Sequence, residues 1–478
     1  MQRRTFLVGT TLALATRGAF GAGDGASDAI VIGAGLAGLC AAHALEAAGL
    51  RVCILEANRR VGGRLHTIQR GGLRFEVGAV EVGSSYARVM SHAKRVGVAL
   101  VPSGPPPRAP AQGAAARPPM PPSLIALRDG LVRAEQWADD PRNPLIGRER
   151  AIPPAGLLMA ALGPSAALLP DATRWLDAAH ADLDVSLWDH LAAAGWSTRA
   201  LELMDVAANF TGLREVSALD VLRREALRRK STGTLRIVPG SQALPAAMAS
   251  ALGAAPLIGA EVIAIRSSSD GATVACADGR RFTARHVVCT LPCGPLSRIA
   301  FDPLPPAEQR DAWRQRRYTP VTTAHFRPLA PFWERDGLPV TTWSDGPVER
   351  LFGVPGADGR IERLIAWING AGAATLDASG ESDTAIGERI RAGIEAQRPA
   401  AAGTLELLAV KSWGRDPLAG GAYAEIAPGR VANTVAWTDR ALGRVHFAGE
   451  HTVFDEPGME AALASGERAA AAMLAAGR

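Results

Sequence analysis

Tyrosine and cysteine are scarce in this sequence of 478 residues. It holds three tyrosines and five cysteines, and aromatic residues make up only 5% of the chain. The cysteine count is odd and no CxxC pair occurs, so we interpret the cysteines as small core residues. Cys289 and Cys293 flank the tripeptide TLP and could pair, but nothing in the sequence requires a disulfide. The five are Cys40, Cys53, Cys276, Cys289 and Cys293.

The sequence also lacks a strong excess of charge. It has 52 Lys and Arg against 47 Asp and Glu, a formal net charge of +5. The densest basic run, RRxxLRRK at 223–230, is typical of the solvated face of a helix. We therefore expect no nucleic-acid binding. Beyond the N-terminus no segment offers about 18 uninterrupted apolar residues, so we expect no membrane span in the mature chain.

The first 26 residues are typical of a signal peptide, not of a folded domain. They have a basic start, an apolar run over 6–15 and small residues near Ala19 and Ala22. The pair Arg3-Arg4 followed by Thr-Phe-Leu resembles a twin-arginine signal. Alternatively, the two arginines are the basic start of a general export signal and resemble the twin-arginine pattern by chance. Either signal predicts a periplasmic or secreted protein.

Residues 28–57 carry the strongest pattern. The β-branched strand AIVI runs into GxGxxG, an Ala- and Leu-rich helix follows, and RVCILE forms a second strand that ends on an acid. The glycines allow a tight turn, close approach of a pyrophosphate and close packing of helix on strand, while the acid can accept ribose hydroxyls. This is an α/β nucleotide-binding unit. Its expected contact residues are Gly33, Gly35, Leu36, Ala37, Gly38, Glu56 and Ala57.

The following residues indicate which nucleotide is bound. EANRRVGGRLHT, with Gly62, Gly63 and Arg64 directly after the acidic strand end, resembles the second FAD loop of the flavin amine oxidase superfamily. The segments 234–252, 260–305 and 444–474 resemble the same family, the last as its closing FAD motif. The resemblance implies FAD as cofactor, with further contacts at Val262, Gly449, Glu450, Gly458 and Met459.

The resemblance also implies the domain organisation. A Rossmann-like FAD-binding domain, of the glutathione reductase type, is expected from residues 27–83, 234–305 and 407–478. A discontinuous α+β substrate domain is expected from 84–233 and 306–406, with a Pro/Ala-rich loop at 102–123. Alternating residues in VTTAHF and RLIAWI predict a sheet with one covered face. The substrate pocket is expected between the two domains.

Members of this family often place two aromatic rings above the flavin. The stretch KSWGRDPLAGGAY aligns Tyr423 with one ring and puts Trp413 near the flavin edge. Covalently flavinylated monoamine oxidases have cysteine directly before that tyrosine; Ala422 stands here, so we predict non-covalent FAD. The second ring position falls on Gly458, which leaves Trp343, Phe210 and Trp367 as candidates to fill it.

A strand lysine that often holds a water near flavin N5 is absent. Its position falls at or near Thr323, and His325 is the nearest basic side chain. This departure keeps three functions open: an amine oxidase or dehydrogenase, a desaturase of a bulky apolar substrate, or a flavin-binding scaffold without turnover. The substrate is a small molecule in the first two, and oxygen or a redox protein takes the electrons. The sequence does not indicate an oligomeric state.

Overall fold

The structure is a computed structural model that describes residues 27–103 and 123–476. The predicted signal peptide and most of the Pro/Ala-rich loop therefore lie outside the described residues. Within the two described ranges, no helix is both long and apolar enough to cross a bilayer.

The first unit is built on an eight-stranded sheet that contains the predicted AIVI strand as an inner strand. Ser27–Ile32 pairs in parallel with Val52–Glu56 on one side and with Arg281–Cys289 on the other. Its β-branched residues are fully buried, as a parallel strand covered on both faces requires. The other strands of this sheet are Leu257–Ile258, Val262–Ser267, Ala272–Cys276, Ala300–Asp302 and Val445–Phe447.

Two helices cover this sheet and pack closely on each other. They are Leu36–Ala47, which follows the glycine loop, and Gly458–Ala475 near the C-terminus. A Cβ at Gly466 would lie 2.3 Å from the carbonyl oxygen of Ala37, and one at Gly38 would lie 1.9 Å from that of Gly33. Only glycine fits at either position. Gly466 therefore sets the distance between the two helices, and Gly38 sets the distance between the first helix and the glycine loop. Ala87–Arg95 and Ala243–Ser250 complete this layer.

The second unit contains a seven-stranded sheet. In spatial order the strands are Leu405–Ser412, Val321–Pro328, Ile361–Asn369, Arg350–Pro355, Thr342–Ser344, Leu124–Leu127 and Gly130–Arg133. The prediction of one covered face is wrong for VTTAHF, since residues 321–326 are all buried. Apolar side chains of Asp383–Gln397 cover one face, and Phe75 of the first unit stacks on His325.

A helical segment joins the two halves of this second unit. Its α-helices are Pro154–Ser165, Leu187–Ala193, Thr198–Ala207 and Ala218–Arg228, with 3-10 turns at Ala134–Asp139, Gly147–Ala151, Ala166–Leu168, Ala172–Arg174 and Ala178–Leu183. The remaining helices are Cys293–Leu296, Ala307–Gln315, Phe332–Arg335, Gly370–Ala378 and Val431–Trp437, with 3-10 turns at Pro399–Ala401 and Glu450–Thr452. Small sheets pair Thr67–Arg70 with Leu73–Glu76, and Arg316–Tyr318 with Ala424–Ile426.

Strand pairing moves two predicted domain boundaries. Leu405–Ser412 is an edge strand of the seven-stranded sheet, so the last crossing into the nucleotide unit falls after residue 412 and not at 407. Ala99–Pro102 pairs with Thr234–Val238, which in turn pairs with Glu81–Gly83. Residues 84–102 therefore belong with the nucleotide unit, although the sequence placed them in the substrate domain.

The cysteines behave as core residues. None of the five forms a disulfide, and four are buried. Burial raises the pKa of Cys40, Cys289 and Cys293 to about 12, so these thiols stay protonated.

Candidate active site

A cavity of about 560 Å³ runs between the two units. All of the predicted cofactor-binding residues except Gly38 line it, and so do Tyr423 and Trp413. Thr323 and His325 are not among the lining residues. The cavity thus brings together segments from both ends of the chain.

The glycine loop forms one end of the cavity. Gly33 has a φ of +102°, and a Cβ there would lie 2.4 Å from the hydroxyl oxygen of Thr290. The helix Leu36–Ala47 begins at once after Gly35, with no side-chain cap on its free N–H groups. Apart from its chain neighbours, no described residue comes within 4 Å of a Cβ placed at Gly35. This leaves an open helix N-terminus, which favours an anion.

Glu56 lies buried at the end of its strand and lines the same end of the cavity. One carboxylate oxygen accepts from the Ala34 N–H at 2.7 Å and the other from the Asn58 N–H at 2.7 Å. Burial raises the pKa of Glu56, and these two N–H donors oppose that effect. A carboxylate has about four acceptor positions, so capacity for ribose hydroxyls remains.

The second glycine loop touches the first. Gly63 has a φ of +57°, and a Cβ there would lie 3.6 Å from the Cα of Gly35. Arg64 Nη1 donates to the carbonyl of Ala422 at 2.8 Å and to Glu450 Oε1 at 2.8 Å. Arg64 therefore ties this loop to the loop of Tyr423 and to the closing motif. Burial alone would raise the pKa of Glu450, but the charges of Arg64 and Arg316 outweigh it and hold that pKa at about 2.

A cluster of arginines at the cavity wall was missed by the sequence analysis. The prediction of a solvated face is right for Arg228, Arg229 and Lys230, which are exposed, and wrong for the start of the run 223–230. Arg223 is buried, and both Arg223 and Arg224 form ion pairs with the fully buried Asp220. The signal was present, because an aspartate three and four residues before two arginines can pair with both on one helix face.

Arg316 completes this cluster from the neighbouring strand. It is 4% exposed and lines the cavity, and its guanidinium lies 5.0 Å from the ring of Phe454. Among the described residues its Nε and Nη1 have no hydrogen-bond partner. Buried donors without partners are costly, so this side chain is suited to an anionic group in the cavity.

Tyr423 and Trp413 stand on the cavity wall as expected. Burial raises the pKa of Tyr423 to about 12, despite the opposite effect of Arg350, so its phenol is neutral at physiological pH. Trp413 is 4% exposed, and its indole N–H donates to the carbonyl of Val77 at 2.8 Å. Lys411 Nζ lies 4.2 Å from the centre of that indole. These contacts hold the Trp413 side chain in one position on the cavity wall.

The space at Gly458 is bordered by a residue that the sequence did not suggest. Among the described residues outside its own helix, a Cβ placed at Gly458 would approach the hydroxyl oxygen of Tyr86, at 3.7 Å. Tyr86 directly precedes the helix Ala87–Arg95, which packs on the closing helix. None of the predicted candidates, Trp343, Phe210 and Trp367, lines the cavity.

Thr323 and His325 are enclosed instead of facing the cavity. His325 is 1% exposed, stacks on Phe75 at 4.8 Å and shares hydrogen bonds with Thr323 and Arg363. Burial first, and then the charge of Arg363, lowers the pKa of His325 to about 3. It is a neutral core histidine, and the prediction of His325 as a site residue is not supported.

These features fit a dinucleotide. The open helix N-terminus, the adjoining glycine loops and the Nε and Nη1 donors of Arg316, which have no hydrogen-bond partner among the described residues, suit a diphosphate. Glu56 suits a ribose. The fold and the site thus define a dinucleotide-binding protein with an α/β nucleotide domain.

Comparison with known proteins is consistent with this class. The family described as flavin containing amine oxidoreductase matches residues 36–474, and the chain belongs to it. An L-amino-acid oxidase from Siganus canaliculatus is 27% identical over 92% of this chain and 84% of its own length. A putative flavin-containing monoamine oxidase, AofH, from Mycobacterium tuberculosis is 29% identical over 94% of this chain and 96% of its own length.

Solved structures show the same fold. Cyclohexylamine oxidase from Brevibacterium oxydans superposes with a TM-score of 0.74 at 23% identity, covering 95% of this chain and 99% of the other. The predicted fold class is confirmed, and the protein is an FAD-dependent oxidoreductase of the flavin amine oxidase type.

Proposed function

We propose that this chain is an exported enzyme that oxidises an amine. A hydride leaves the carbon next to the uncharged amine, the resulting imine hydrolyses to a carbonyl compound, and oxygen or a redox protein finally takes the two electrons. The observation that carries the proposal is the position of Tyr423, a neutral phenol on the cavity wall beside the loop that Arg64 and Glu450 fix.

FAD, when bound, supplies the hydride acceptor. Glu56 would hold its ribose, and the open end of Leu36–Ala47 with Arg64 and Arg316 would hold its diphosphate. The N-terminus of the closing helix Gly458–Ala475 would offer its positive dipole end to the ring system.

Tyr423 orients the substrate. Its ring gives the uncharged amine an apolar surface to pack against, and its neutral hydroxyl adds no negative charge that would favour the ammonium form, which has no lone pair to assist hydride loss. Trp413 fixes the adjoining wall, so the reacting C–H bond keeps one orientation.

Non-covalent attachment of FAD is part of the proposal. Ala422 offers no nucleophile at the position where related monoamine oxidases carry cysteine. Acid precipitation of the purified protein should therefore release all of the flavin into the supernatant. Flavin that stays with the precipitated chain through washing in denaturant would contradict this.

Export is the second part of the proposal. Arg3-Arg4 with the apolar run after it supports a twin-arginine route, which carries folded proteins with cofactor in place. In a bacterial host the protein should appear in the periplasm, and replacing both arginines by lysine should retain it in the cytoplasm. Export of the double-lysine variant would indicate the general route.

The main test is anaerobic mixing of the holoenzyme with a panel of amines. Bleaching of the oxidised flavin by an amine supports the proposal, and admitting oxygen to the reduced enzyme then identifies the acceptor by the rate of reoxidation. Bleaching only by an apolar alkene precursor would indicate a desaturase. FAD that remains bound and is bleached by nothing would indicate a scaffold.

A further inference from the structure

A cysteine, a histidine and a glutamate from three helices meet outside the cofactor cavity. They are Cys40 on Leu36–Ala47, His92 on Ala87–Arg95 and Glu467 on Gly458–Ala475. One sulfur, one ring nitrogen and one carboxylate oxygen of these residues all lie within 4.8 Å of one another. None of the three residues lines the cavity, so the function proposed above makes no use of them.

The close packing of two helices brings Cys40 to Glu467. At Gly466 the helices Leu36–Ala47 and Gly458–Ala475 approach so closely that a Cβ there would lie 3.0 Å from the Cβ of Cys40. Glu467 is the next residue of the closing helix. Its side chain therefore starts beside the cysteine, at the point where only a glycine lets the two helices touch.

A second helix contact brings His92 to the same place. Glu460, on the closing helix, accepts from the backbone N–H of Arg88 at 2.8 Å. Residues four apart share a helix face, and so do residues seven apart, which lie two turns from each other. His92, four residues after Arg88, therefore faces Glu467, seven residues after Glu460.

Hydrogen bonding within the chain does not account for this cluster. The Sγ of Cys40 and the Nε2 of His92 lie 3.6 Å apart, and a thiol is only a weak hydrogen-bond partner. The Nδ1 of His92 has no hydrogen-bond partner among the described residues, although the side chain is only 5% exposed. Buried polar groups without good partners are costly, so a ligand is the better explanation for a histidine here.

The distances fit a tetrahedral metal ion. A zinc–sulfur bond of about 2.3 Å and a zinc–nitrogen bond of about 2.0 Å, at the tetrahedral angle, place sulfur and nitrogen about 3.5 Å apart. The observed separation of Cys40 Sγ and His92 Nε2 is 3.6 Å. The side chain of Glu467 is 47% exposed, which leaves it free to close the remaining distance and lets water reach the fourth position.

The type of ligand selects the type of ion. Thiolate and imidazole bind zinc and related transition ions, whereas magnesium and calcium prefer oxygen ligands alone. A thiolate and a carboxylate together also neutralise the charge of a divalent ion.

Neither the proton on Cys40 nor the ion pair of Glu467 prevents binding. Burial raises the pKa of the Cys40 thiol to about 12 in the metal-free chain, and a coordinating thiol releases its proton to solvent. Glu467 Oε2 accepts from Arg88 Nε at 2.9 Å, and a carboxylate has a second oxygen for the ion. Arg88 also pairs with Glu456 and Glu460.

We propose that Cys40, His92 and Glu467 bind one divalent transition-metal ion, of which zinc is the best match, with water as the fourth ligand. The ion joins the three helices of the layer behind the cofactor cavity. Cys40 lies four residues after Leu36, about 6 Å along the helix from the N-terminus that faces the diphosphate position. The role of the ion is therefore structural, and it goes beyond the proposed amine oxidation.

The test is a zinc titration of the purified holoenzyme. The protein carries no polyhistidine tag, since a tag would bind the same ions, and it is first treated with a chelator. Elemental analysis after gel filtration should find one zinc ion per chain in the wild type, and the thermal midpoint should rise with zinc concentration. Loss of an outer partner of a metal ligand already weakens binding roughly 10–100-fold, so Cys40→Ala should weaken zinc binding at least roughly 100-fold.

Two further variants separate metal binding from folding. Glu467→Gln acts at the exposed end of the cluster and should weaken zinc binding at least roughly tenfold, so it serves as the test if Cys40→Ala does not fold. Cys53→Ala removes a thiol from the strand Val52–Glu56, away from the cluster, and should bind zinc as the wild type does.

Cobalt(II) reports the sulfur ligand directly. A tetrahedral cobalt ion with a thiolate ligand absorbs strongly in the red, where oxidised flavin does not absorb. These bands should appear in the wild type and in Cys53→Ala and be absent from Cys40→Ala.

Three results would overturn the metal site. They are equal zinc affinity in the wild type, Cys40→Ala and Glu467→Gln, a wild-type thermal midpoint that zinc does not raise, and a cobalt complex without the red bands. Each of them leaves amine oxidation standing, because the cluster lies outside the cavity.

Discussion

Replacing Glu450 by glutamine should destabilise the protein by about 3 kcal/mol. The carboxylate is paired with Arg64 at 2.8 Å and its pKa is held at about 2, against an ordinary value of 4.5. Because a change of one in pKa corresponds to about 1.4 kcal/mol, ionised Glu450 contributes about 3 kcal/mol at neutral pH. Glutamine removes this charge and leaves the nearby arginine charges uncompensated.

The structure offers a matched control. Arg327 and Glu406 also lie 2.8 Å apart, but their side chains are 33% and 44% exposed, against 21% and 15% for Arg64 and Glu450. Water screens the exposed pair, so Glu406→Gln should cost about 0–1 kcal/mol. Calorimetric unfolding of FAD-free and FAD-loaded protein measures both variants.

The contribution of the Glu450 carboxylate to stability depends on pH. A carboxylate whose folded pKa is depressed stabilises fully above its unfolded pKa and loses that effect as pH falls through the folded value. The stability difference between wild type and Glu450→Gln should therefore narrow from pH 4.5 toward about pH 2. A difference that is unchanged over this range, or one no larger than that of Glu406→Gln, would show that the buried pair of Arg64 and Glu450 does not stabilise the fold as described.

Three further predictions concern packing and cofactor. Gly466→Ala should lower the thermal midpoint, because its Cβ would meet backbone at 2.3 Å. Gly156→Ala, inside the helix Pro154–Ser165, should instead raise stability by up to about 1 kcal/mol, because its Cβ would make an ordinary contact with the Ile152 side chain at 3.5 Å. Calorimetry that ranks the two variants otherwise would contradict the packing account. Glu56→Gln and Arg316→Met should each weaken FAD binding roughly tenfold or more in a fluorescence titration, and wild-type affinity in either would remove that residue from the cofactor site. Tyr423→Ala should slow flavin reduction at least roughly tenfold while FAD content stays constant, and an unchanged rate would exclude its role in orienting the amine.

Sequence patterns predicted those parts of the candidate site that are formed by one continuous segment of the chain. The glycine loop with Glu56 was visible because strand, turn, helix and strand follow one another within thirty residues of sequence. The neighbouring loop of Gly62, Gly63 and Arg64 was visible through its resemblance to a family motif. Both line the cavity in the structure.

The sequence did not predict the site residues that only tertiary packing brings together. Tyr86 reaches Gly458 only because two helices far apart in the chain pack together. Arg223 is buried because it packs on Trp175 and donates to the carbonyl of Phe454. Both contacts come from distant segments, so the helical pattern of the sequence around Arg223 does not indicate them. The sequence predicts His325 as a site residue because it lies near the strand position where the family often has a lysine. In the structure its ring is covered by Phe75 from another sheet.

The contacts of Arg64 bear on how the protein is made. Its guanidinium joins Ala422 and Glu450, and the last of these lies 386 positions further along the chain. On the ribosome, the segment that carries Arg64 emerges long before its partners, so the cavity has no closing wall until translation is nearly complete. We therefore expect FAD to be loaded only after nearly all of the chain has been synthesised. The proposed export with cofactor in place would then require the signal to act after the whole chain has been released.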